Sequence, residues 1–226
     1  MRSVVLLSGG MDSTLTATIA RHESSDVAAI HFNYKHRTEQ RELKAFNDVA
    51  DFLGITKRLV VDVDVLRKIG GSSLTDLSIP VSPADLTNTE VPSSYVPFRN
   101  GVFLAIAAGW AEVLDADRLY IGAVEEDSSG YPDCRAVFFN AFEHAVNLGT
   151  KPTTNIKIVT PLIALSKADI VSKSLALNAP LDLTWSCYQS EDVACGECDS
   201  CALRLRGFAR ARAIDPLPYK KRPVYV

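Results

Sequence analysis

The stretch Val4-Val5-Leu6-Leu7-Ser8-Gly9-Gly10-Met11-Asp12-Ser13 decides the fold of this chain. Its apolar run predicts a buried strand, its paired glycines predict a tight turn, and the helix-compatible residues 14–20 follow directly. A helix that starts in such a turn presents unpaired N–H groups and the positive end of its dipole, and both attract anions. The stretch therefore predicts a phosphate site. The competing interpretation is a plain turn with a serine N-cap.

Composition places the chain among globular enzymes. Its 226 residues, 47% hydrophobic and 23% charged, suit one α/β domain with an appendage and bury a sizeable core without disulfides. The net charge of −3 argues mildly against a dedicated nucleic-acid binder. Because no apolar run approaches the ~20 residues of a membrane helix and no signal peptide precedes the first strand, we expect a cytoplasmic protein.

Strand-like and helix-like patterns alternate along the chain. We expect further strands at residues 27–32, 56–63, 118–124 and 156–162, helices at 38–53, 101–114, 136–148 and 202–213, and another helix that starts within 165–169. This alternation predicts a doubly wound, mostly parallel five-stranded sheet with helices on both faces. The proline-rich segment 70–100 predicts a long functional loop or a plain surface insertion. We expect an α/β ATP-binding domain at 1–180 and a helical, metal-binding region at 181–226.

Four cysteines form a second strong pattern. Cys187, Cys195, Cys198 and Cys201 are separated by seven, two and two residues. Four thiolates this close in a reducing compartment favour a closed, tetrahedral and structural Zn²⁺ site. An iron–sulfur cluster, or a group of unliganded or redox-active thiols, are the alternatives. Cys134 lies apart and is interpreted as an ordinary small residue.

Several further motifs follow in the order of one known family: Tyr95-Val96-Pro97-Phe98-Arg99-Asn100-Gly101, Tyr120-Ile121-Gly122-Ala123, Gly130-Tyr131-Pro132-Asp133-Cys134-Arg135, Thr160-Pro161-Leu162, Leu165-Ser166-Lys167 and Leu183-Thr184-Trp185-Ser186-Cys187-Tyr188. Over nearly its whole length the chain resembles the 7-cyano-7-deazaguanine synthases, the queuosine-pathway branch of the PP-loop ATP pyrophosphatases. The opening loop is shared with many ATP-using families, whereas the segment 130–135 and the cysteine spacing are much more specific.

The resemblance implies an ATP-dependent carbon–nitrogen ligase. Such an enzyme converts 7-carboxy-7-deazaguanine and ammonia into the 7-cyano base through an adenylated carboxylate, an amide and its dehydration, releasing AMP and pyrophosphate. A carboxylate is a poor electrophile, which explains the demand for ATP with Mg²⁺. The resemblance also implies a homodimer that acts on a small molecule, without a membrane or nucleic-acid partner.

The resemblance assigns residues to these roles. The expected ATP-binding residues are Leu7, Ser8, Gly9, Gly10, Met11, Asp12, Ser13, Thr14, Leu15, Thr16 and Ala17. Asp12 is the candidate for holding Mg²⁺, with local capping of the loop as the alternative. The expected substrate-binding or catalytic residues are Arg99, Asn100, Asp127, Tyr131, Asp133 and Lys167. Asp133 would accept N–H groups of the guanine-type edge, Tyr131 would stack on the base, and the two cations would meet the carboxylate or the phosphates, unless they form structural ion pairs.

One departure and two competing functions remain open at this point. The chain has Asn33-Tyr34-Lys35 where the family commonly has Asp-Tyr-Gly, which puts the ribose or adenine contacts in doubt. A PP-loop tRNA-modifying enzyme of the thiolase or lysidine synthetase type could use the basic residues Arg204, Arg206, Arg210, Arg212 and Lys220-Lys221-Arg222, although such runs are more often solvated. A nucleotide-sensing zinc-ribbon interaction protein would bind ATP without turnover.

Overall fold

A parallel sheet forms the centre of the computed structural model, which describes residues 1–86, 90–125 and 131–225. In the described residues the sheet has five strands in the order β3-β2-β1-β4-β5, and all paired neighbours run parallel. The strands are β1 (Arg2–Leu6), β2 (Asp26–Asn33), β3 (Lys57–Asp62), β4 (Arg118–Tyr120) and β5 (Lys157–Val159). The predicted doubly wound, five-stranded α/β fold is confirmed.

Helices cover both faces of the sheet. They are α1 (Met11–Glu23), α2 (Glu39–Phe52), α3 (Val65–Ile69), α4 (Arg99–Val113), α5 (Ala136–Gly149), α6 (Lys167–Ala176) and α7 (Asp199–Arg210). Successive side chains of a strand point to opposite faces, and β1 follows this rule. Val4 packs into the core beneath α4 and α5, whereas Val5 packs into the core beneath α1, α2 and α6.

The largest differences from the predicted boundaries lie near the ends of strands and helices. β4 and β5 pair over three residues each, so both are shorter than the predicted runs 118–124 and 156–162. α1 starts three residues before the predicted helix, which puts Met11, Asp12 and Ser13 in its first turn. The short helix α3 was not predicted. α7 starts at Asp199 because Cys198 takes the N-cap position, so the predicted helix 202–213 is displaced by three residues.

The C-terminal region packs directly on the α/β body. Leu181 and Phe208 share a core with Leu15 of α1, and the backbone N–H of Trp185 donates to the carbonyl of Gly9 at 2.8 Å. The boundary at residue 180 stays a prediction. Within the described part of the chain, none of the helices combines the length and the apolar character needed to cross a membrane.

Candidate active site

A cavity of about 290 Å³ opens at the carboxyl ends of β1 and β4. The chain leaves β1 toward β2 on one side, while β4 lies on the other side, so this is the point where the strand order reverses. In open parallel sheets, ligands bind in the crevice outside this point. The start of α1, the end of β2, the start of α4 and the segment before the cysteines all contribute to its wall.

The first turn of α1 faces this cavity with unpaired backbone donors. Gly10 is the N-cap, and no side chain bonds to the cap, so the alternative of a serine N-cap is not observed. The N–H groups of Met11, Asp12 and Ser13 have no acceptor among the described residues. Ser8 and Ser13 instead hold the turn, with their hydroxyl oxygens 3.0 Å apart. Such a helix start attracts anions.

Two glycines let α1 approach its neighbours closely. Gly9 has a φ of +88°, and a Cβ at this position would lie 2.7 Å from the Cβ of Ala45 in α2. At the end of β4, a Cβ on Gly122 would lie 2.8 Å from the hydroxyl of Thr16 and 2.9 Å from the carbonyl of Asp12. Because real Cβ atoms do not approach other atoms so closely, glycine is required for this packing.

The structure separates the predicted ATP-binding residues into two groups. Those that line the cavity are Leu7, Ser8, Gly10, Met11, Asp12 and Ser13. Gly9 turns toward α2, and the later residues 14–17 are buried within α1, with Leu15 and Ala17 in the core. The loop residues therefore face the cavity, while the rest of the range supports the helix.

Asp12 and Lys167 meet across the cavity wall. The Lys167 ammonium donates to Asp12 Oδ2 at 2.6 Å, and Asp12 Oδ1 is buried without a hydrogen-bond partner. Lys167 is the first residue of α6, whose N-terminus carries the predicted capping box between Ser166 and Asp169. A carboxylate oxygen without a partner suits a hard cation such as Mg²⁺. The backbone donors of the loop, the Asp12 carboxylate and the Lys167 ammonium therefore lie together in one part of the cavity wall.

Arg99 faces the cavity as a cation without a described carboxylate partner. Its Nη1 donates to the hydroxyl of Tyr34 at 3.1 Å, and its guanidinium lies 5.7 Å from the centre of the Tyr34 ring. Burial raises the pKa of Tyr34 to about 12, so this partner is a neutral phenol. Arg99 therefore keeps its charge available for an anion in the cavity.

The predicted base-binding residues form a connected group at the start of α4. The backbone N–H of Asn100 donates to Asp133 Oδ2 at 2.8 Å, and its side-chain amide donates to the carbonyl of Asp133 at 3.1 Å. Asn100 and Tyr131 line the cavity, whereas the buried Asp133 lies behind its wall. Burial raises the pKa of Asp133. Asp127 lies outside the described residues.

The four cysteines converge beside this cavity. The sulfur atoms of Cys187, Cys195, Cys198 and Cys201 all lie within 4.8 Å of one another. The Cys198 thiol and nearby backbone N–H groups lower the pKa of Cys187 and bring that of Cys195 to about 6. The sulfurs of Cys195 and Cys201 are 3.8 Å apart. This equals the edge of a tetrahedron with metal–sulfur bonds of about 2.3 Å, so the donor set fits one metal ion.

Comparison with known proteins now identifies the family. A family model described as "Queuosine biosynthesis protein QueC" matches residues 2–212. The chain belongs to the QueC family. The 7-cyano-7-deazaguanine synthase of Chlorobium phaeobacteroides is 57% identical over 226 residues, which is 100% of both chains. The synthase of Campylobacter concisus is 54% identical over 220 residues, covering 97% of this chain and 99% of its own length. The family resemblance of the motifs is confirmed.

Solved structures are more distant. A U34-tRNA thiolase NcsA from Methanococcus maripaludis has a TM-score of 0.49 and 17% identity, covering 80% of this chain and 58% of its own. An NH3-dependent NAD synthetase from Campylobacter jejuni has a TM-score of 0.46 and 13% identity, covering 80% of this chain and 66% of its own. Likenesses this weak carry no argument about activity.

The sequence analysis assigned no role to several residues that line the cavity: Tyr34, Glu42, Phe103, Trp185, Ser186, Tyr188, Asp199 and Ser200. Tyr34 had a usable signal, because it directly follows β2 and ligands gather at the carboxyl ends of strands. Trp185 and Tyr188 lie in the family motif at residues 183–188, but no role was predicted for their side chains. Glu42 had no signal, because it is one of several charged residues in α2.

Of the basic residues on which the tRNA alternative rests, Arg204 does not belong to an exposed stripe, whereas Arg210, Arg212, Lys220, Lys221 and Arg222 are exposed. Arg204 is fully buried and pairs with both carboxylate oxygens of Asp215 at 2.7 and 2.9 Å. It also donates to the Thr184 hydroxyl. Lys221 pairs with Glu197 at 2.8 Å. Arg204 thus holds the C-terminal segment together and is not presented to a nucleic acid. Asn33, where the family commonly has Asp, donates to Asp62 and lies outside the cavity wall.

Proposed function

We propose that this chain makes 7-cyano-7-deazaguanine from 7-carboxy-7-deazaguanine, ammonia and ATP, with release of AMP and pyrophosphate. One observation carries the proposal. The open start of α1, the Asp12–Lys167 pair and the uncompensated guanidinium of Arg99 surround a single cavity. A reaction that activates a carboxylate with ATP needs these features, because it must hold two anions together and accept the charge of a departing pyrophosphate.

The start of α1 and Lys167 would take the pyrophosphate. The N–H groups of Met11, Asp12 and Ser13 would donate to its oxygens, and Lys167 would exchange part of its contact with Asp12 for a phosphate oxygen. Mg²⁺, which lowers the charge repulsion among the phosphates, would be held through Asp12. These fixed donors would stabilise the negative charge that develops on pyrophosphate as its bond to the α-phosphorus breaks.

Arg99 would orient the substrate carboxylate. Tyr131, with its ring in the cavity wall, would stack on the deazapurine, and Asn100 would contact its edge. Asp133 lies behind Asn100, and its oxygen that α4 does not use would reach the same edge from behind that residue. Asp127 belongs to the same proposal because the family resemblance assigns it to the substrate-binding or catalytic residues. In this proposal the Arg99 guanidinium binds the carboxylate of the substrate, and the Tyr131 ring packs against its deazapurine ring.

The chemistry balances over two rounds of activation. First, a carboxylate oxygen forms a bond to the α-phosphorus of ATP as the bond to the β-phosphate breaks and pyrophosphate leaves. Ammonia then forms the C–N bond, AMP leaves with its oxygen, and the nitrogen loses a proton. In the second round the amide oxygen attacks another ATP. AMP then carries that oxygen away as two protons leave the nitrogen, which gives the nitrile.

We further propose that the four cysteines hold one structural Zn²⁺ per chain and that the enzyme works as a cytoplasmic homodimer without a nucleic-acid partner. All five cysteines are free of disulfide bonds, in agreement with a reducing compartment. With four protein ligands, a zinc ion here would have no open position for water and would shape the Trp185–Tyr188 wall of the cavity.

The test incubates the purified protein with ATP, Mg²⁺, ammonium chloride and 7-carboxy-7-deazaguanine. Mass spectrometry should detect the amide first and the nitrile later, with AMP and pyrophosphate formed in step. A reaction without the deazapurine acid is the control for idle ATP hydrolysis. Absence of AMP and of both products would refute the proposal.

A further inference from the structure

Three polar side chains lie where β2 passes into α2, and the reaction above gives them no role. His31 is in β2, His36 is in the turn that follows, and Glu42 is in α2. Both histidines are buried, with exposures of 1% and 7%. The Glu42 side chain is 16% exposed and lines the cavity. The Glu42 carboxylate therefore lines the cavity, and the two buried imidazoles lie behind it.

Glu42 has two polar neighbours, the Thr38 hydroxyl and the His36 imidazole. Its Oε1 accepts from the Thr38 hydroxyl at 3.0 Å, and its Oε2 lies 3.1 Å from His36 Nε2. Burial alone would raise the pKa of Glu42, but His36, His31 and Thr38 together hold it below its usual range. The other described carboxylates in the cavity wall are Asp12, which already pairs with Lys167, and Asp199 at the start of α7. Glu42 lies beside His36, so it offers its negative charge to a cation next to a proton acceptor.

The imidazoles have unused hydrogen-bonding capacity. His31 Nδ1 lies 3.1 Å from the carbonyl of Leu7, but its Nε2 is buried with no partner in the described structure. The Nδ1 of His36 has no partner in the described structure either, while its Nε2 lies 3.1 Å from Glu42 Oε2. Buried polar atoms without partners are costly, so His31 Nε2 and His36 Nδ1 keep hydrogen-bonding capacity directly behind the Glu42 part of the cavity wall.

Tyr34 connects this cluster to the place where we put the substrate carboxylate. The Tyr34 ring stacks on His36 with centroids 4.1 Å apart, and its hydroxyl accepts from Arg99 at 3.1 Å. A group bound at Glu42 therefore sits one aromatic ring away from the anion held by Arg99. A small cation bound there would approach the carbon that must receive nitrogen from the Tyr34 side of the cavity.

We propose that Glu42 binds ammonium and that His36 removes its proton to release the attacking ammonia. This inference rests on the proposed function. Ammonium has no lone pair for attack, so one N–H bond must break, with the proton passing to the imidazole. The lone pair then forms the C–N bond while the C–O bond to AMP breaks, and a second proton leaves the new amide nitrogen to solvent. Glu42 stabilises the imidazolium through their 3.1 Å contact.

The experiment compares ammonium with hydroxylamine, an amine that is largely unprotonated at neutral pH and yields a hydroxamate. Glu42→Gln should raise the KM for ammonium at least tenfold and leave the KM for ATP within twofold of wild type. His36→Gln should lower kcat for amide formation at saturating ammonium at least tenfold. Hydroxylamine should restore both variants to within twofold of the wild-type hydroxamate rate, because it needs no deprotonation.

Two matched variants separate this role from a structural one. Glu39→Gln removes a carboxylate three residues earlier in α2 that pairs with Lys35 outside the cavity wall, and it should leave the KM for ammonium unchanged. Glu42→Asp keeps the charge and should raise that KM less than Glu42→Gln.

Three results would overturn the inference: an unchanged ammonium KM in Glu42→Gln, an equal loss with hydroxylamine, or an equal effect of Glu39→Gln. If the wild-type protein forms neither amide nor hydroxamate, the proposed function fails as well.

Discussion

At the scale of single residues, a cation without a counter-charge decides which anion the cavity accepts. Arg99 contacts a neutral phenol and two aromatic faces, so its guanidinium is desolvated before substrate arrives. We expect Arg99→Met to raise the KM for 7-carboxy-7-deazaguanine at least tenfold, because hydrogen bonds to charged groups contribute about 1.5–3 kcal/mol. The KM for ATP should change less. Steady-state kinetics with each substrate varied in turn measures both.

Arg21→Met is the matched control for this prediction. Arg21 lies at the far end of α1, where its side chain donates to the carbonyl of Leu53 on the surface. The Arg21→Met variant should leave the KM values for ATP and for 7-carboxy-7-deazaguanine within twofold of wild type. An equal rise for ATP and the acid in Arg99→Met would place Arg99 on the phosphates instead.

At the scale of elements, the approach of α1 to β4 sets the shape of the phosphate site. A Cβ on Gly122 would come within 2.8–2.9 Å of Thr16 and the carbonyl of Asp12. We expect Gly122→Ala to push the first turn of α1 away and destabilise the fold by about 1–3 kcal/mol. The KM for ATP should rise. Denaturant unfolding and kinetics check the two effects. Gly149→Ala, with nothing within 4 Å of its Cβ, should change neither.

The cysteine cluster belongs to the same scale, because it fixes the start of α7. Cys198 is both a proposed metal ligand and the N-cap of that helix. We expect the wild-type protein to contain about one zinc per chain and Cys198→Ala to lose it, with a lower melting temperature. Cys134→Ala should retain the metal, since Cys134 lies outside the cluster. Elemental analysis checks this, and iron with inorganic sulfide in the wild type would favour the cluster alternative.

The elements were more predictable from the sequence than the site. Apolar runs and the glycine turn fix the sheet, since burial on both faces demands those patterns. Side-chain partners depend on packing between distant segments, which no local pattern encodes. Lys167 was predicted as a cation of the site, but its contact with Asp12 spans 155 positions. Asp133 was expected in the cavity, yet the structure commits one of its oxygens to the start of α4.

At the scale of the whole molecule, α4 and α5 expose a set of apolar side chains to solvent. Phe98, Val113, Val137 and Leu148 are 53%, 74%, 64% and 73% exposed, and between them lie small exposed residues without charge, namely Ala105, Gly109, Ala141 and Ala145. Apolar patches of this kind mark interfaces, and a symmetric second copy of the same two helices would cover it. We therefore expect the proposed homodimer to form through this surface.

The dimer prediction has a direct test in solution. Sedimentation velocity at micromolar concentration should give a dimer for the wild-type chain and a monomer for the double variant Val137→Asp/Leu148→Asp, because two desolvated carboxylates per chain oppose burial. Ile214→Asp places a charge on an apolar residue after α7 that is more exposed, at 84%, and this variant should remain dimeric. A monomeric wild type contradicts the homodimer. If Ile214→Asp dissociates the dimer and the double variant does not, the interface lies in the C-terminal region, which carries the metal centre, and not on α4 and α5.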